Sequence, residues 1–457
     1  IVNRHLKILQ DFRRASFECF GDRAEFSDAV WFATWSGGAP GGRLARYLLG
    51  QYSTVLGMLF FFQEFAKTIF QALLRSRKML LEFPAVLSGA DCEVVIQSWK
   101  SFEQSVDARS AMPDRFFGNC FQSQFENGKL LNFNILTDNV SSTSNLGPLT
   151  LGRSLETFSF CVSTLCLVIA IWIKNFWPLL KLLSKMNGVR SRIAASVVWA
   201  CLPNQRSRHA FELRKQTSQF LRRQGDSVPP LFLPYETQPE QLALAQAWKE
   251  NGGRVTGYLH GTMLTFPGHY ICPQIGQLDE IWIHGNAYFD ALQKCGWDKD
   301  LIKKVPAFRF RAMVGKAAEI GAIYFPYWSG DLRYPLLNIK SAVQSGAIRV
   351  RSLKPHPSTG LPASIRVQFE QLIQASSEIR VDQNESVIGV GPISVVLEEL
   401  ERATKFNVLH APISSQWFDS FDNQFWQQYL DCRRLPGCDL VELKLKSKNA
   451  FIDFEQL

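Results

Sequence analysis

Several signatures that would fix the chemistry of a 457-residue chain are missing from this one. Its ten cysteines form no Cys-x-x-Cys pair and no Cys/His group at metal-ligand spacing, which removes zinc ribbons, zinc fingers and dithiol redox motifs. Cysteines scattered in this way read as buried thiols of a reducing compartment. There is no Walker A sequence and no Gly-x-Gly-x-x-Gly, so neither P-loop nucleotide hydrolysis nor dinucleotide binding is supported. Ile1–Phe20 is amphipathic and charged and lacks an apolar h-region, so no secretory signal is expected there. Acid is nearly missing from residues 174–224, where eleven Lys/Arg stand against Glu212 alone. That block carries +10 of a net charge of +9, and the rest of the chain sums to −1.

What is present is bulk apolar material. Apolar residues make up 46% of the chain, with 35 Phe and 12 Trp, enough to fill large cores over two to three domains. The basic block directly follows Thr157–Ile173, seventeen residues without a charge. An apolar run followed by Lys and Arg is what an anionic membrane surface attracts. Seventeen residues is short for a spanning helix, which needs ~20. A monotopic or partly inserted helix is therefore the favoured reading, ahead of a buried core helix and a true span. Nucleic acid is disfavoured as the partner because the block is interleaved with Leu, Trp and Phe. A second apolar stretch, Gly42–Leu81, is helical in pattern. Its Met58–Phe62 run is followed by Phe65, Ile69 and Leu73, which read either as core packing or as a second membrane-facing surface.

From Cys92 the pattern becomes strand–helix alternation. Strands are expected at Glu93–Gln97, Leu130–Leu136, Leu231–Leu233, Val255–Leu259 and Glu280–Ile283, and again at Ile320–Phe325, about 347–353, Ile379–Val381, Ser386–Val390 and Phe406–Leu409. Helices are expected at 1–20, Phe116–Glu126, Pro239–Asn251, Ala287–Cys295, near 332–345, Pro362–Ser376 and Val395–Ala403. Asp28–Trp35 reads as a short strand, residues 139–150 as a loop, and the chain after Asp431 as a tail. The fold class is α/β: two Rossmann-like domains facing a cleft, with a helical, apolar and basic membrane-associating insertion. The boundaries are an N-terminal helical segment at 1–90, a first Rossmann-like domain at 91–310 with the insertion at about 150–225, a second at 311–415, and a C-terminal helix and tail at 416–457.

Ligands of open α/β sheets sit outside the carboxyl ends of the strands, so residues there are the candidates. The run Ala347–Gly360 is the sharpest case: a β-branched stretch ends in Lys354-Pro355-His356-Pro357-Ser358-Thr359. The first domain contributes Ser98, Asp138, Tyr235, Glu236, His260 and Asn286; the second contributes Ser329, Lys354, His356, Ser394, Ser414 and Ser415. The second set is rich in cations and hydroxyls. Lys354, His356 and a helix start at Ser394 suit a phosphate. The first set offers a carboxylate and a His for general-base work on an acceptor hydroxyl, with Glu236 ahead of His260.

This ordered series resembles a family. Two Rossmann-like units, a His-Pro motif in the second and a Ser-bearing loop about forty residues later are similar to the GT-B glycosyltransferases that use CMP-activated sugars, the bacterial sialyltransferases and Kdo transferases. The resemblance assigns CMP binding to His356, Pro357 and Ser394. Tyr235-Glu236-Thr237-Gln238-Pro239, then Gly257-Tyr258-Leu259-His260-Gly261-Thr262, Asn286 and Pro306-Ala307-Phe308-Arg309-Phe310 look like bacterial surface-carbohydrate biosynthesis proteins. Phe117-Gly118 and Asn127-Gly128 match their amino-terminal half, so the likeness runs over about residues 90–412. Thr237 stands where that family usually has Asn, Phe310 where it has Tyr, and the acid-acid-Gly motif of several sialyltransferases is missing.

The resemblance implies an inverting, metal-independent transferase without a cofactor, using a CMP-activated ulosonic sugar as donor. It implies a lipid-linked or polysaccharide acceptor at the cytoplasmic face of the bacterial inner membrane, with the protein peripheral or monotopic. His260-Gly261-Thr262 with a later His-Pro also resembles the CDP-glycerol glycerophosphotransferases of teichoic acid synthesis. Those usually carry Asp-Tyr-Ser-Ser where this chain has Gly391-Pro392-Ile393-Ser394. A non-catalytic, membrane-docked GT-B scaffold is the third alternative.

Overall fold

The computed structural model describes residues 1–32, 43–74, 77–82, 92–98, 117, 120–127, 129–134, 149–155, 158–223, 228–235, 237–259, 270–308, 319–325, 332–355, 361–377, 386–390, 407–448 and 450–451. Helices α1 (Val2–Phe20), α2 (Asp22–Phe32), α3 (Arg43–Leu48) and α4 (Thr54–Leu74) lead into strands β1 (Arg77–Glu82) and β2 (Val94–Ser98). Helix α5 (Gln122–Glu126) precedes β3 (Leu130–Asn134) and β4 (Leu149–Leu155). Four helices follow: α6 (Phe158–Lys174), α7 (Phe176–Lys185), α8 (Val189–Cys201) and α9 (Gln205–Arg222). Then come β5 (Leu231–Pro234), α10 (Pro239–Glu250), β6 (Val255–Tyr258), β7 (Glu280–Ile283), α11 (Asn286–Lys294) and β8 (Ile302–Lys304). The second unit holds β9 (Ala322–Tyr324), α12 (Arg333–Gln344), β10 (Ser352–Lys354), α13 (Ala363–Ser377), β11 (Ser386–Val390), β12 (Asn407–Ala411), α14 (Phe421–Trp426), β13 (Leu430–Arg434) and β14 (Val441–Leu445).

The strands form two parallel-rich sheets. The first has the order β1-β4-β3-β2-β5-β6-β7-β8, and only the β1–β4 pair is antiparallel. The chain fills one side of β2 with β3 and β4, then crosses to the other side for β5 to β8. The topological switch point therefore lies between β2 and β5. Strands buried on both faces explain the unbroken apolar runs. Along them, alternate residues go to opposite layers. Val95, Leu231, Leu233, Ile281 and Ile283 join the core under the helices. Val94, Ile96, Phe232 and Trp282 join an aromatic layer with Phe117, Phe121 and Tyr258.

The second sheet has the order β10-β9-β11-β12-β14-β13. Its first four strands are parallel, and β14 and β13 extend it as an antiparallel hairpin. Helices α12 and α13 cover it with Leu336, Ile339, Val343, Phe369 and Leu372. The two units share a seam. Gly285, after β7, lies so close to Phe451 that a Cβ there would meet its carbonyl oxygen at 2.2 Å. The Ala287 N–H donates to Ala450 O at 2.7 Å, and Tyr288 packs on Trp426 and Phe451.

Several expectations need correction. Asp28 to Phe32 is helical rather than extended: Asp22 and Glu25 sit in the first turn of α2, where the helix dipole favours acid, and Phe26 is fully buried. Gly42–Leu81 is not one helix but α3, α4 and then β1. The helix expected over Phe116–Glu126 is described only as α5. Residues 149–155 form β4, paired along its length with β1. The strand expected over about 347–353 is confined to Ser352–Lys354. The supposed tail after Asp431 is the β13–β14 hairpin. The strand at Ile379–Val381 and the helix at Val395–Ala403 lie outside the described residues.

Candidate functional site at the switch point

The carboxyl ends of β2 and β5 are built by residues that the sequence makes buried and polar at once. Gln97 is fully buried near the end of β2, and Gln241 is fully buried on the first turn of α10. The Gln241 amide donates to Gln97 Oε1 at 3.1 Å and to the Pro234 carbonyl at the end of β5. Its Oε1 accepts from the Gln238 N–H at 3.4 Å, half of a capping box that starts α10. Gln97 Nε2 is buried with no hydrogen-bond partner among the described residues. A buried amide donor left over at a switch point is a group a ligand hydroxyl or carbonyl can satisfy.

Thr237, between β5 and α10, has φ +50°. A β-branched residue in the left-handed region is a genuine outlier, costing about 1–2 kcal/mol, and it persists only where its surroundings over-determine it. They do so here. Arg206, in the first turn of α9, clamps Glu240 through two bonds of 2.8 and 2.9 Å and reaches Gln238 Oε1 at 2.5 Å. Burial pushes the Glu240 carboxyl up, but the Arg206 guanidinium more than offsets this and holds it below its usual value. The residues after Thr237 are thereby fixed, and the Gln241 bond to the Pro234 carbonyl holds the chain before it.

Beneath the same edge lies a buried charge cluster. Arg13 on α1 bonds Glu25 on α2 at 3.0 Å, and its Nε lies 3.4 Å from Asp28. It also donates to Ile271 O at 3.4 Å, while Glu25 accepts from the Gln274 N–H at 3.2 Å. This ties α1 and α2 to the return of the β6–β7 connection, the segment that contains His260. Burial pushes the Asp28 carboxyl up to about 8, despite Arg13. Tyr235, directly after β5, is buried in the same field, and its hydroxyl is raised by burial first and by Cys272 second.

The remaining candidates sort by position. Glu236, His260, Ser329, His356, Pro357 and Ser394 lie outside the described residues, as does Asp138. Lys354 ends β10, and its ammonium is paired with Glu319 at 2.5 Å, a carboxylate that precedes β9. That hydrogen bond raises Lys354 and lowers Glu319. The pair is about half exposed, so it is worth at most ~1 kcal/mol and yields readily to a competing anion. Ser414 is half-buried after β12, and Ser415 is exposed at the start of a short 3-10 turn over Ser415–Trp417. Asn286 opens α11 and is exposed. Among the described residues no His/Cys/Asp/Glu group is arranged to hold a metal ion.

Sequence reasoning missed Gln97, Gln241, Arg206 and the Arg13–Glu25–Asp28 cluster. The Gln238-x-x-Gln241 spacing was the one available signal, as a capping box. No family model, curated protein or solved structure matches this chain.

Proposed function

We propose that this chain is a GT-B-type glycosyltransferase that moves a CMP-activated ulosonic sugar, Kdo or sialic-acid-like, onto a glycan acceptor in bacterial surface polysaccharide synthesis. The observation that carries the reading is positional. Glu236 follows the end of β5 by two residues and His260 follows β6 by two; His356 follows β10 by two, Ser394 follows β11 by four and Ser414 follows β12 by three. Parallel strands direct their carboxyl ends to one edge, where α/β proteins bind ligands. The resemblance of His356, Pro357 and Ser394 to the CMP-binding loops of CMP-sugar transferases supports the donor half of the assignment.

In this reading the first sheet takes the acceptor and the second the donor. Glu236, or His260, removes the acceptor hydroxyl's proton as that oxygen attacks the anomeric carbon from the face opposite CMP. The bond from the anomeric carbon to the CMP phosphate oxygen breaks, and its electron pair leaves on the phosphate. His356, Lys354 and the Ser394 loop, with Ser329, Ser414 and Ser415, stabilise that charge. Lys354 exchanges Glu319 for the phosphate when donor binds. Gln97 Nε2 supplies an amide donor of the kind that reads sugar hydroxyls, and Gln241 holds it in place.

The test is CMP release from CMP-activated ulosonic sugars in the presence of membrane glycolipid extract. His356→Ala is expected to lose turnover by about 10²-fold or more, the scale of one anion-stabilising donor. Unchanged turnover in that variant removes His356 from the mechanism. Turnover of CDP-glycerol instead would move the chain to the glycerophosphotransferase reading. The Lys354–Glu319 pair favours one rival, the non-catalytic scaffold, because it leaves that cation already neutralised. Failure to bind any cytidine nucleotide would decide for it.

A further inference from the structure

Helices α4, α6 and α7 carry more apolar surface outward than a water-facing helix does. Among the described residues, fourteen of the twenty exposed large apolar side chains lie on these three helices. Leu59, Phe62 and Phe70 project from α4, Leu167 and Ile173 from α6, and Trp177 from α7. Phe62 is 63% exposed, Ile173 70% and Trp177 76%. The inward face of α4 is small or polar at Gly57, Glu64, Thr68 and Ala72, while α6 and α7 are apolar on both sides, burying Val168, Trp172, Leu179 and Leu182. A water-facing helix keeps its outward face polar.

The outward display is not a packing failure. Phe65 stacks on Trp172 at 4.4 Å, and Trp172 packs on Trp199. The Trp172 indole donates to Ala200 O and that of Trp199 to Trp172 O, both at 3.3 Å. Gly57 lets α4 press on Tyr47, whose ring a Cβ there would meet at 2.2 Å. The three helices are thus backed by protein and greasy outside.

No single helix is long and apolar enough to cross a membrane among the described residues. Val162–Lys174 and Phe176–Lys185 together pass by length and composition, but they bend by 41° at Asn175. Phe176 and Trp177 stand exposed at that bend, and Lys174, Lys181 and Lys185 flank it. Lys185 is paired with Glu18 at 2.8 Å, and aromatic side chains at a helix break beside Lys174 and Lys181 match the headgroup region of an anionic leaflet.

We propose that the outer faces of α4, α6 and α7 form one monotopic surface that inserts into a single leaflet of an anionic bilayer without crossing it. The occupant is lipid rather than a second copy because of the charge: a copy of the same surface would bring lysine against lysine, whereas anionic headgroups neutralise them. The inference stands apart from the transferase reading, since its readout is binding and not turnover.

The full chain is mixed with vesicles of phosphatidylglycerol and phosphatidylethanolamine, and with vesicles of phosphatidylcholine alone. Sedimentation with the anionic vesicles is expected, along with retention in high salt and quenching of tryptophan fluorescence by lipids brominated near the headgroup. Phe62→Ser, Ile173→Ser and Trp177→Ser combined should lower anionic-vesicle partitioning about tenfold or more, with an unchanged thermal midpoint. Cys166, exposed on α6, should lose reactivity toward a water-soluble maleimide when vesicles are added. The proposal fails if the chain ignores both vesicle types or if the triple variant binds as well as the parent. It also fails if the triple variant's only change is conversion of a dimer to a monomer in sedimentation, which would mean that a second copy covers the face.

Discussion

Two helical regions of this molecule solve opposite problems with the same residue types. Around α1, α2, α9 and α10, apolar side chains point inward, and buried charges are cancelled in pairs, as in Arg13 with Glu25 or Arg206 with Glu240. Around α4, α6 and α7 apolar side chains stand on the outside as well. Leu, Phe and Trp face out, while Glu64, Thr68 and Thr164 are turned in. The first region is built against water, where an unpaired buried charge is costly. On the membrane proposal above, the second is built against lipid. Helix α7 packs directly on α1, and Lys185 pairs with Glu18 at 2.8 Å. One layer of helix therefore separates the exposed apolar face from the charge cluster beneath the switch point.

The comparison can be broken most directly at Arg13. Replacing it by Met leaves the buried Glu25 and Asp28 carboxyl groups without their cation, and the loss should be about 3–5 kcal/mol in urea unfolding. The outer-face triple variant should stay within about 0.5 kcal/mol, because those side chains make few contacts to lose. Equal losses in the two variants would mean that the outer face is ordinary core.

The Asp28 carboxyl sharpens the same point through pH. Its folded value, about 8, lies above the usual carboxylate value near 3.9, so the folded state holds the proton more tightly. Stability from this group is intact below about pH 4, falls as pH rises toward 8, and levels off above it. Asp28→Asn should lack that decline. A parent whose unfolding free energy rises between pH 5 and 8 by as much as that of the Asn variant would contradict the assignment.

Arg206→Ala should cost about 2 kcal/mol, because Arg206 is partly exposed but leaves Glu240 buried. Arg206→Lys should recover only part of this, since a lysine cannot make the two-bond clamp. Thr237→Asn is expected to have the opposite sign, a gain of about 0.5–1 kcal/mol, as Asn accepts a left-handed backbone. A loss there would show that the Thr side chain holds the turn.

Much of the framework was legible in the sequence. Val94–Ser98, Glu280–Ile283 and Ser386–Val390 are dense in apolar and β-branched residues and are strands. Pro239 after Gln238 announced α10. The hairpin was missed although Val441-Glu-Leu-Lys-Leu445 alternates and Pro436-Gly437 is a turn; a two-faced edge strand with many charges imitates a solvated tail. Strand β4 was hidden by its Ser, Thr and Gly neighbours. The charge cluster could not be foreseen, because Arg13, Glu25 and Asp28 lie on helices whose other charges face water. Their burial depends on α1 and α2 packing over a loop more than two hundred residues away. Of the candidate site, the strand-end positions were readable, whereas the amides and the Arg206 clamp at the switch point depend on contacts between distant segments.

The most direct test of the transferase account is a calorimetric titration of the full chain with CMP, alongside UDP and ADP. The account predicts saturable CMP binding that is lost in His356→Ala and retained in Glu236→Gln, with UDP and ADP weaker. Heats indistinguishable from dilution for all three nucleotides, or CMP binding unaffected by the His356 change, would contradict it.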